Sequence, residues 1–85
     1  MKKLALVVDD TPYIREDIRD ILEEMGYEVY EANDGLEALK MYKKIKPTVV
    51  TMDINMPNMH GLAATKEISN YDRNAKILIC STMVM

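Results

Sequence analysis

The chain has 85 residues, of which 48% are hydrophobic and 29% are charged, so it is expected to form one globular domain and not a disordered segment. A formal net charge of -3 argues against a nucleic-acid-binding surface, and no apolar run approaches the length that crosses a membrane. The single cysteine, Cys80, excludes an intramolecular disulfide framework, and a reducing cytoplasmic compartment is the expected location.

The first third of the chain predicts a strand, a helix and a second strand. Lys3–Val8 is an almost continuous apolar run, typical of a strand buried on both faces. Thr11 and Pro12 favour a helix start, because threonine can cap and proline is favoured at the first helical position. Gly26 is expected to end this helix, and the polar alternation of Tyr27–Ala32 predicts a strand near a sheet edge. The apolar stripe of the helix consists of Ile14, Ile18, Ile21, Leu22 and Met25.

The next segment predicts a second helix and a third strand. Residues 33–35, Asn-Asp-Gly, form a turn and a helix start, and Pro47 stops the helix. Residues 48–53 are rich in β-branched side chains and end on a single carboxylate, so they predict a strand. The apolar stripe of the second helix consists of Leu36, Leu39, Tyr42 and Ile45.

The last segment predicts a shorter third helix over residues 62–70, a turn over residues 72–74 and a fourth strand over residues 75–81. The complete pattern is therefore β-α-β-α-β-α-β. Alternation of this kind predicts an α/β fold with a parallel sheet and right-handed crossovers.

Polar side chains end three of the predicted strands. Asp9 and Asp10 follow the first strand, Asp53 ends the third, and Ser81 ends the fourth. The carboxyl ends of parallel strands lie at one edge of a sheet, so the three carboxylates are expected to converge if the first and third strands are neighbours. Carboxylates this close need a counter-charge, and a hard divalent cation such as Mg²⁺ suits oxygen ligands. A carboxylate beside such a cation can attack an activated phosphoryl group, and the Ser81 hydroxyl would orient its oxygens.

Four motifs in this order resemble the receiver domain of two-component response regulators, of the chemotaxis CheY type. The third motif, Asp-x-x-Met-Pro-x-Met-x-Gly, is the most specific of them. The four motifs together span the whole chain, and they are Val-Val-Asp-Asp at 7–10, Asn-Asp-Gly-Leu-Glu-Ala-Leu at 33–39, the segment 53–61, and Ile-Cys-Ser at 79–81.

This resemblance implies a flavodoxin-like sheet with strand order 2-1-3-4. It also implies that Asp53 accepts a phosphoryl group from a histidine kinase. Asp10 would bind Mg²⁺ directly, Asp9 would bind it mostly through water, and Asn55 would supply its backbone carbonyl. Ser81 would be the switch hydroxyl that turns toward the phosphoryl group.

The chain departs from the family pattern after the fourth strand. The family's fourth helix, fifth strand and fifth helix, and the catalytic lysine that ends the fifth strand, have no counterpart, so residues 1–85 are interpreted as a truncated receiver domain with impaired phosphorylation. The fourth strand would then be an exposed edge with Lys76 as its only charge. A homodimer or higher oligomer through this strand is therefore expected.

Two further functions stay open. One is a self-associating structural fragment without signalling activity. The other, from the enzyme class, is a phosphohydrolase with an aspartyl-phosphate intermediate. That chemistry usually has a second acid two residues after the nucleophile, where this chain has Asn55, so the chain is not expected to be an enzyme.

Overall fold

Four strands and three helices alternate in the computed structural model, which describes residues 3–80. The strands are β1 (Lys3–Val8), β2 (Tyr27–Ala32), β3 (Val49–Met52) and β4 (Ile77–Ile79), and the helices are α1 (Pro12–Glu24), α2 (Gly35–Ile45) and α3 (Gly61–Tyr71). The sheet has the order β2-β1-β3-β4, and all neighbouring strands are parallel. The predicted α/β class and the predicted strand order 2-1-3-4 are both confirmed.

The third and fourth strands are shorter than the sequence predicts. One further sheet bond extends each of them, from the Asp53 N–H to the Val8 carbonyl at 2.9 Å and from the Cys80 N–H to the Met52 carbonyl at 2.8 Å. The backbone leaves the sheet directly after Asp53. The Asp53 carboxylate therefore lies at the carboxyl-terminal end of β3 and not within the strand.

The larger part of the core lies between the sheet and the helices α2 and α3. Alternate residues of β1 and β3 face these helices, because side chains on a strand alternate between its two faces. The buried residues of this cluster are Leu6, Val8, Ala32, Ala38, Tyr42, Val50, Met52, Ala64 and Ile68. A hydrogen bond of 2.8 Å from the Tyr42 hydroxyl to the Asp72 carboxylate joins α2 to the end of α3.

Helix α1 packs on the opposite face of the sheet, and it is more exposed than its apolar stripe predicts. Ile18 and Leu22 contact the smaller core cluster of Ala5, Val7 and Val29. Ile21 and Met25 are 59% and 67% exposed, so their predicted inward placement is wrong. In the described range, α1 is the only helix on this face, and a single helix rests on a sheet along a narrow line that leaves its flanking residues in solvent.

No helix between residues 3 and 80 combines the length and the apolar character that crossing a membrane requires.

Candidate functional site

Asp9, Asp10 and Asp53 lie together at the carboxyl edge of the sheet, as their positions after two strands predict. Strands β1 and β3 are neighbours, with Val8 paired to Met52, so the residues that follow them are adjacent in space. One carboxylate oxygen from each of the three acids lies within 4.8 Å of the others. Asp9 and Asp53 are buried, and Asp10 is exposed. The site is thus a shallow acidic recess that is open on one side.

Three hydrogen bonds fix Asp9 in this recess. Its N–H donates to the Ala32 carbonyl at 3.1 Å, which extends the pairing of β1 with β2. Its carboxylate accepts the Thr11 N–H at 2.9 Å, and its carbonyl accepts a guanidinium N–H of Arg15 at 2.8 Å. Thr11 lies at the start of α1 as predicted, but its side chain makes no capping bond there. Its contribution to the site is its backbone N–H, which orients one oxygen of the Asp9 carboxylate.

The electrostatics of the recess disfavour three negative charges. Burial raises the pKa of the Asp53 carboxyl, and the nearby charges of Asp9 and Asp10 raise it further, while hydrogen bonding by the Ile54 and Asn55 N–H groups opposes this shift. None of the salt bridges between residues 3 and 80 involves these acids. A set of carboxylate oxygens without a cationic side chain is the donor set that hard divalent cations such as Mg²⁺ prefer, so the residues fit such an ion.

The loop after Asp53 is held against the start of α2. Asp34 caps α2 by accepting the Glu37 N–H at 2.8 Å, and its second carboxylate oxygen accepts the Asn58 amide at 2.6 Å. This capping role agrees with the predicted helix start at residues 33–35. Asn58 has a φ of +66°, a left-handed conformation that asparagine tolerates better than most residues. Asn55 is exposed on the same loop, two residues beyond Asp53.

Gly61 brings the start of α3 close to Asp53. Its N–H donates to the Ile54 carbonyl at 2.8 Å. A Cβ at this position would overlap the Asp53 carbonyl oxygen and lie 2.8 Å from the Asp53 carbonyl carbon and from the Ile54 Cα. The loop therefore needs a residue without a side chain here, which explains the glycine at the end of the Asp-x-x-Met-Pro-x-Met-x-Gly motif.

The end of the fourth strand lies beside the recess, since Ile79 pairs with Met52. Ser81, the predicted switch hydroxyl, lies outside the described residues. Cys80 is half-buried, and its thiol lies close enough to the recess for Asp9 and Asp53 to add to the effect of burial, which raises the pKa of that thiol.

Two features of the site were not foreseen from the sequence. Arg15 reaches the Asp9 carbonyl from α1, where helical periodicity places it outside the apolar stripe and predicts only exposure to solvent. His60 caps α3, where its Nδ1 accepts the Leu62 N–H at 3.2 Å. Arg15 and Arg19, one helical turn apart, both donate to the Glu31 carboxylate. Their spacing on one side of α1 could have indicated a shared partner, but neither spacing nor composition identifies Glu31 as that partner.

Comparisons with known proteins agree with this geometry. The family model of the response regulator receiver domain matches residues 5–85. The chemotaxis protein CheY of Thermotoga maritima is 51% identical over 84 residues, which are 98% of this chain and 70% of that protein.

Two solved structures are similar over nearly the whole chain. The response regulator TrrA of Thermotoga maritima, in complex with Mg²⁺ and beryllium fluoride, has a TM-score of 0.91 and 41% identity over 95% of this chain and 70% of that one. CheY of Borrelia burgdorferi, in a complex with CheX, BeF3 and Mg²⁺, has a TM-score of 0.91 and 31% identity. The match covers 95% of this chain and 63% of that one. From the family match, the sequence identity and the shared fold together, the chain belongs to the receiver domain family of two-component response regulators.

Proposed function

We propose that residues 1–85 act as a receiver unit that accepts a phosphoryl group on Asp53 from a histidine kinase. The observation that carries this proposal is the convergence of three carboxylate oxygens within 4.8 Å, without a cationic side chain paired to them in the described range. Asp53 is the central acid, since it lies at the end of β3 next to Asp9 and begins the loop that Asn58 and Gly61 hold in place.

The reaction is a phosphoryl transfer. A carboxylate oxygen of Asp53 attacks the phosphorus of a phosphohistidine, the P–N bond breaks, and the imidazole leaves with the electron pair of that bond. Asp10 would hold Mg²⁺ directly, Asp9 mostly through water, and Asn55 through its backbone carbonyl. The ion would neutralise the charge that collects on the transferred oxygens. The hydroxyl of Ser81 would orient those oxygens.

The similar proteins support both the Mg²⁺ site and the phosphoryl acceptance. TrrA binds Mg²⁺ and beryllium fluoride, and the CheY of Borrelia burgdorferi forms its complex with CheX in the presence of the same pair. For this chain we propose a cytoplasmic location and a place in a two-component relay of the chemotaxis type. We propose that it acts in signalling and does not turn over a substrate as an enzyme.

Transfer to the isolated chain is expected to be slow. Stabilising the negative charge on the transferred phosphoryl oxygens usually needs a cationic side chain as well as the metal ion. Among the described residues, no cationic side chain forms an ion pair with Asp53. Incubation with Mg²⁺ and a small phosphodonor, followed by peptide mass spectrometry, tests this. We expect a slow gain of one phosphoryl group on the peptide that contains Asp53, and no gain with a chelator or in Asp53→Asn. A gain that persists in Asp53→Asn, or none at all after prolonged incubation, would refute phosphoryl acceptance at this residue.

We also propose that the 85-residue chain self-associates through β4. Leu78 and Ile79 are 60% and 43% exposed on β4, which is an edge strand of the described sheet. The inner strand β1 differs, because its Val7 is buried against Ile18 and Leu22 of α1. An unpaired strand with apolar side chains is a template for a second strand. Light scattering tests this proposal, with a homodimer or higher oligomer expected at micromolar concentration and a stable folded monomer as the contrary result.

A further inference from the structure

Arg15 connects the acidic recess to a charged cluster on the other side of β1. One Nη1 hydrogen bond of 2.8 Å reaches the Asp9 carbonyl, and one Nε hydrogen bond of 2.8 Å reaches the Glu31 carboxylate on β2. The second Glu31 oxygen accepts the Arg19 guanidinium at 2.6 Å. Glu31 thus holds two arginines from successive turns of α1, but only Arg15 continues to the site.

The bond to the Asp9 carbonyl orients the neighbouring acid, Asp10. The carbonyl of Asp9 and the N–H and Cα of Asp10 belong to one planar peptide unit. A hydrogen bond that fixes the Asp9 carbonyl oxygen therefore fixes the orientation of this plane and the position of the Asp10 Cα. Asp9 and Asp53 are buried, and the Asp9 carboxylate accepts the Thr11 N–H. Asp10 is exposed, and its side chain makes no hydrogen bond or ion pair within the described range. Among the three acids, Asp10 depends most on the orientation of the peptide that precedes it.

Glu31 keeps Arg15 in this role. Hydrogen bonding from Arg15, followed by that from Arg19, lowers the pKa of the Glu31 carboxyl, so Glu31 stays ionised and remains paired at neutral pH. The planar guanidinium has donors in fixed directions, and its Nε edge is occupied by Glu31 while Nη1 points to the Asp9 carbonyl. These bonds direct Arg15 to the Asp9 carbonyl and to Glu31, and the described residues show no ion pair between Arg15 and the Asp10 carboxylate, where it would compete with a bound cation.

We propose that Arg15, aligned by Glu31, is a positioning residue that holds the Asp9–Asp10 peptide in the orientation needed for Asp10 to bind Mg²⁺. This inference rests on the Mg²⁺ site of the proposed function. It makes a prediction opposite to that of simple electrostatics. Removal of a positive charge beside a cation site should strengthen Mg²⁺ binding, whereas loss of the positioning bond should weaken it.

The test is a Mg²⁺ titration at constant ionic strength, followed through the backbone amide resonances of the site by NMR. We expect Arg15→Gln to weaken Mg²⁺ affinity about tenfold, the lower end of the effect of mutating outer contacts of a metal site. Arg19→Gln is the matched control, since it removes the same charge and the other half of the Glu31 pairing but leaves the Asp9 carbonyl bond intact. Its affinity is expected to equal that of the wild type.

The outcomes separate this inference from the proposed function. A wild-type chain that does not bind Mg²⁺ refutes the metal site itself, and the role of Arg15 with it. A wild-type chain that binds Mg²⁺, with Arg15→Gln equal to or tighter than the wild type, overturns the positioning role alone. A purely structural role would lower the melting temperature without metal and leave the affinity unchanged.

A second variant covers the case in which Arg15→Gln does not fold, as judged by circular dichroism. Arg15→Lys keeps the charge and most of the aliphatic packing, but one ammonium group cannot reproduce the two directed donors of the guanidinium. Its Mg²⁺ affinity is expected to lie below that of the wild type, and an unchanged affinity would overturn the proposal.

Discussion

Gly61→Ala is the substitution that should damage the site most for the smallest chemical change. The added Cβ would lie 2.8 Å from the Asp53 carbonyl carbon and from the Ile54 Cα, and it would overlap the Asp53 carbonyl oxygen. Carbon atoms in contact are ordinarily about 3.5 to 4.0 Å apart, so the start of α3 and the Asp53 backbone must separate by about 1 Å. That movement would also lengthen the 2.8 Å hydrogen bond from the Gly61 N–H to the Ile54 carbonyl.

The magnitude follows from these two effects. Overpacking costs about 1 to 3 kcal/mol and the weakened hydrogen bond about 1 kcal/mol more, so the free energy of unfolding should fall by about 2 to 4 kcal/mol. A chain of 85 residues has a total stability of about 4 to 13 kcal/mol, so this loss is a large part of it. Because the displaced atoms belong to Asp53, the Mg²⁺ affinity of the chain should fall as well.

Urea unfolding, with and without Mg²⁺, measures both effects, and Gly26→Ala is the matched control. Gly26 has a φ of +95° and no atom within 4 Å of an added Cβ, so an alanine there carries only backbone strain, about 1 to 2 kcal/mol. It should leave Mg²⁺ affinity unchanged. The reasoning is refuted if Gly61→Ala is no less stable than Gly26→Ala, or if it binds Mg²⁺ as tightly as the wild type.

Three further predictions concern single side chains. Burial, followed by hydrogen bonding to Asp72, raises the pKa of Tyr42 to about 12, so its contribution to stability is full below about pH 10 and is lost as the pH rises from 10 to 12. Urea unfolding at alkaline pH should show this loss in the wild type and not in Tyr42→Phe, and equal slopes would contradict it. Asp10→Asn should stabilise the metal-free chain by removing one like charge from the recess, and it should abolish most of the rise in melting temperature with Mg²⁺; a melting temperature that still rises as in the wild type would exclude Asp10 as a ligand. Leu78→Lys should reduce self-association in light scattering while its circular dichroism spectrum stays that of the folded chain, because the side chain is 60% exposed on an edge strand, and an unchanged assembly would exclude pairing through β4.

The sequence predicts the architecture because hydrophobic period and turn chemistry are local properties. The apolar run of Lys3–Val8 and the Asn-Asp-Gly turn at 33–35 each specify their structure within a few residues. The strand order came from the family resemblance. Given that order, the convergence of Asp9, Asp10 and Asp53 followed without knowledge of any side-chain contact.

The features that sequence reasoning missed depend on partners that are distant along the chain. Arg15 and Glu31 are 16 residues apart, so periodicity places each on the polar side of its own element and does not pair them. Tyr42 and Asp72 are 30 residues apart, so periodicity places Tyr42 in an apolar stripe and gives no sign of its hydrogen bond to Asp72. The exposure of Ile21 and Met25 has a similar cause. A helical stripe shows which residues could be buried, but the width of the contact with the sheet decides which of them are.

The most direct test of the central claim is a crystal structure of this chain grown with Mg²⁺ and beryllium fluoride, the pair bound by TrrA. We predict a beryllium trifluoride group with its beryllium bonded to a carboxylate oxygen of Asp53, and a Mg²⁺ ion about 2.1 Å from oxygens of Asp10, Asp53 and the Asn55 backbone carbonyl. An ion bound away from these three residues, or a beryllium trifluoride group on any other carboxylate, would contradict the assignment of this recess as the phosphoryl-accepting site.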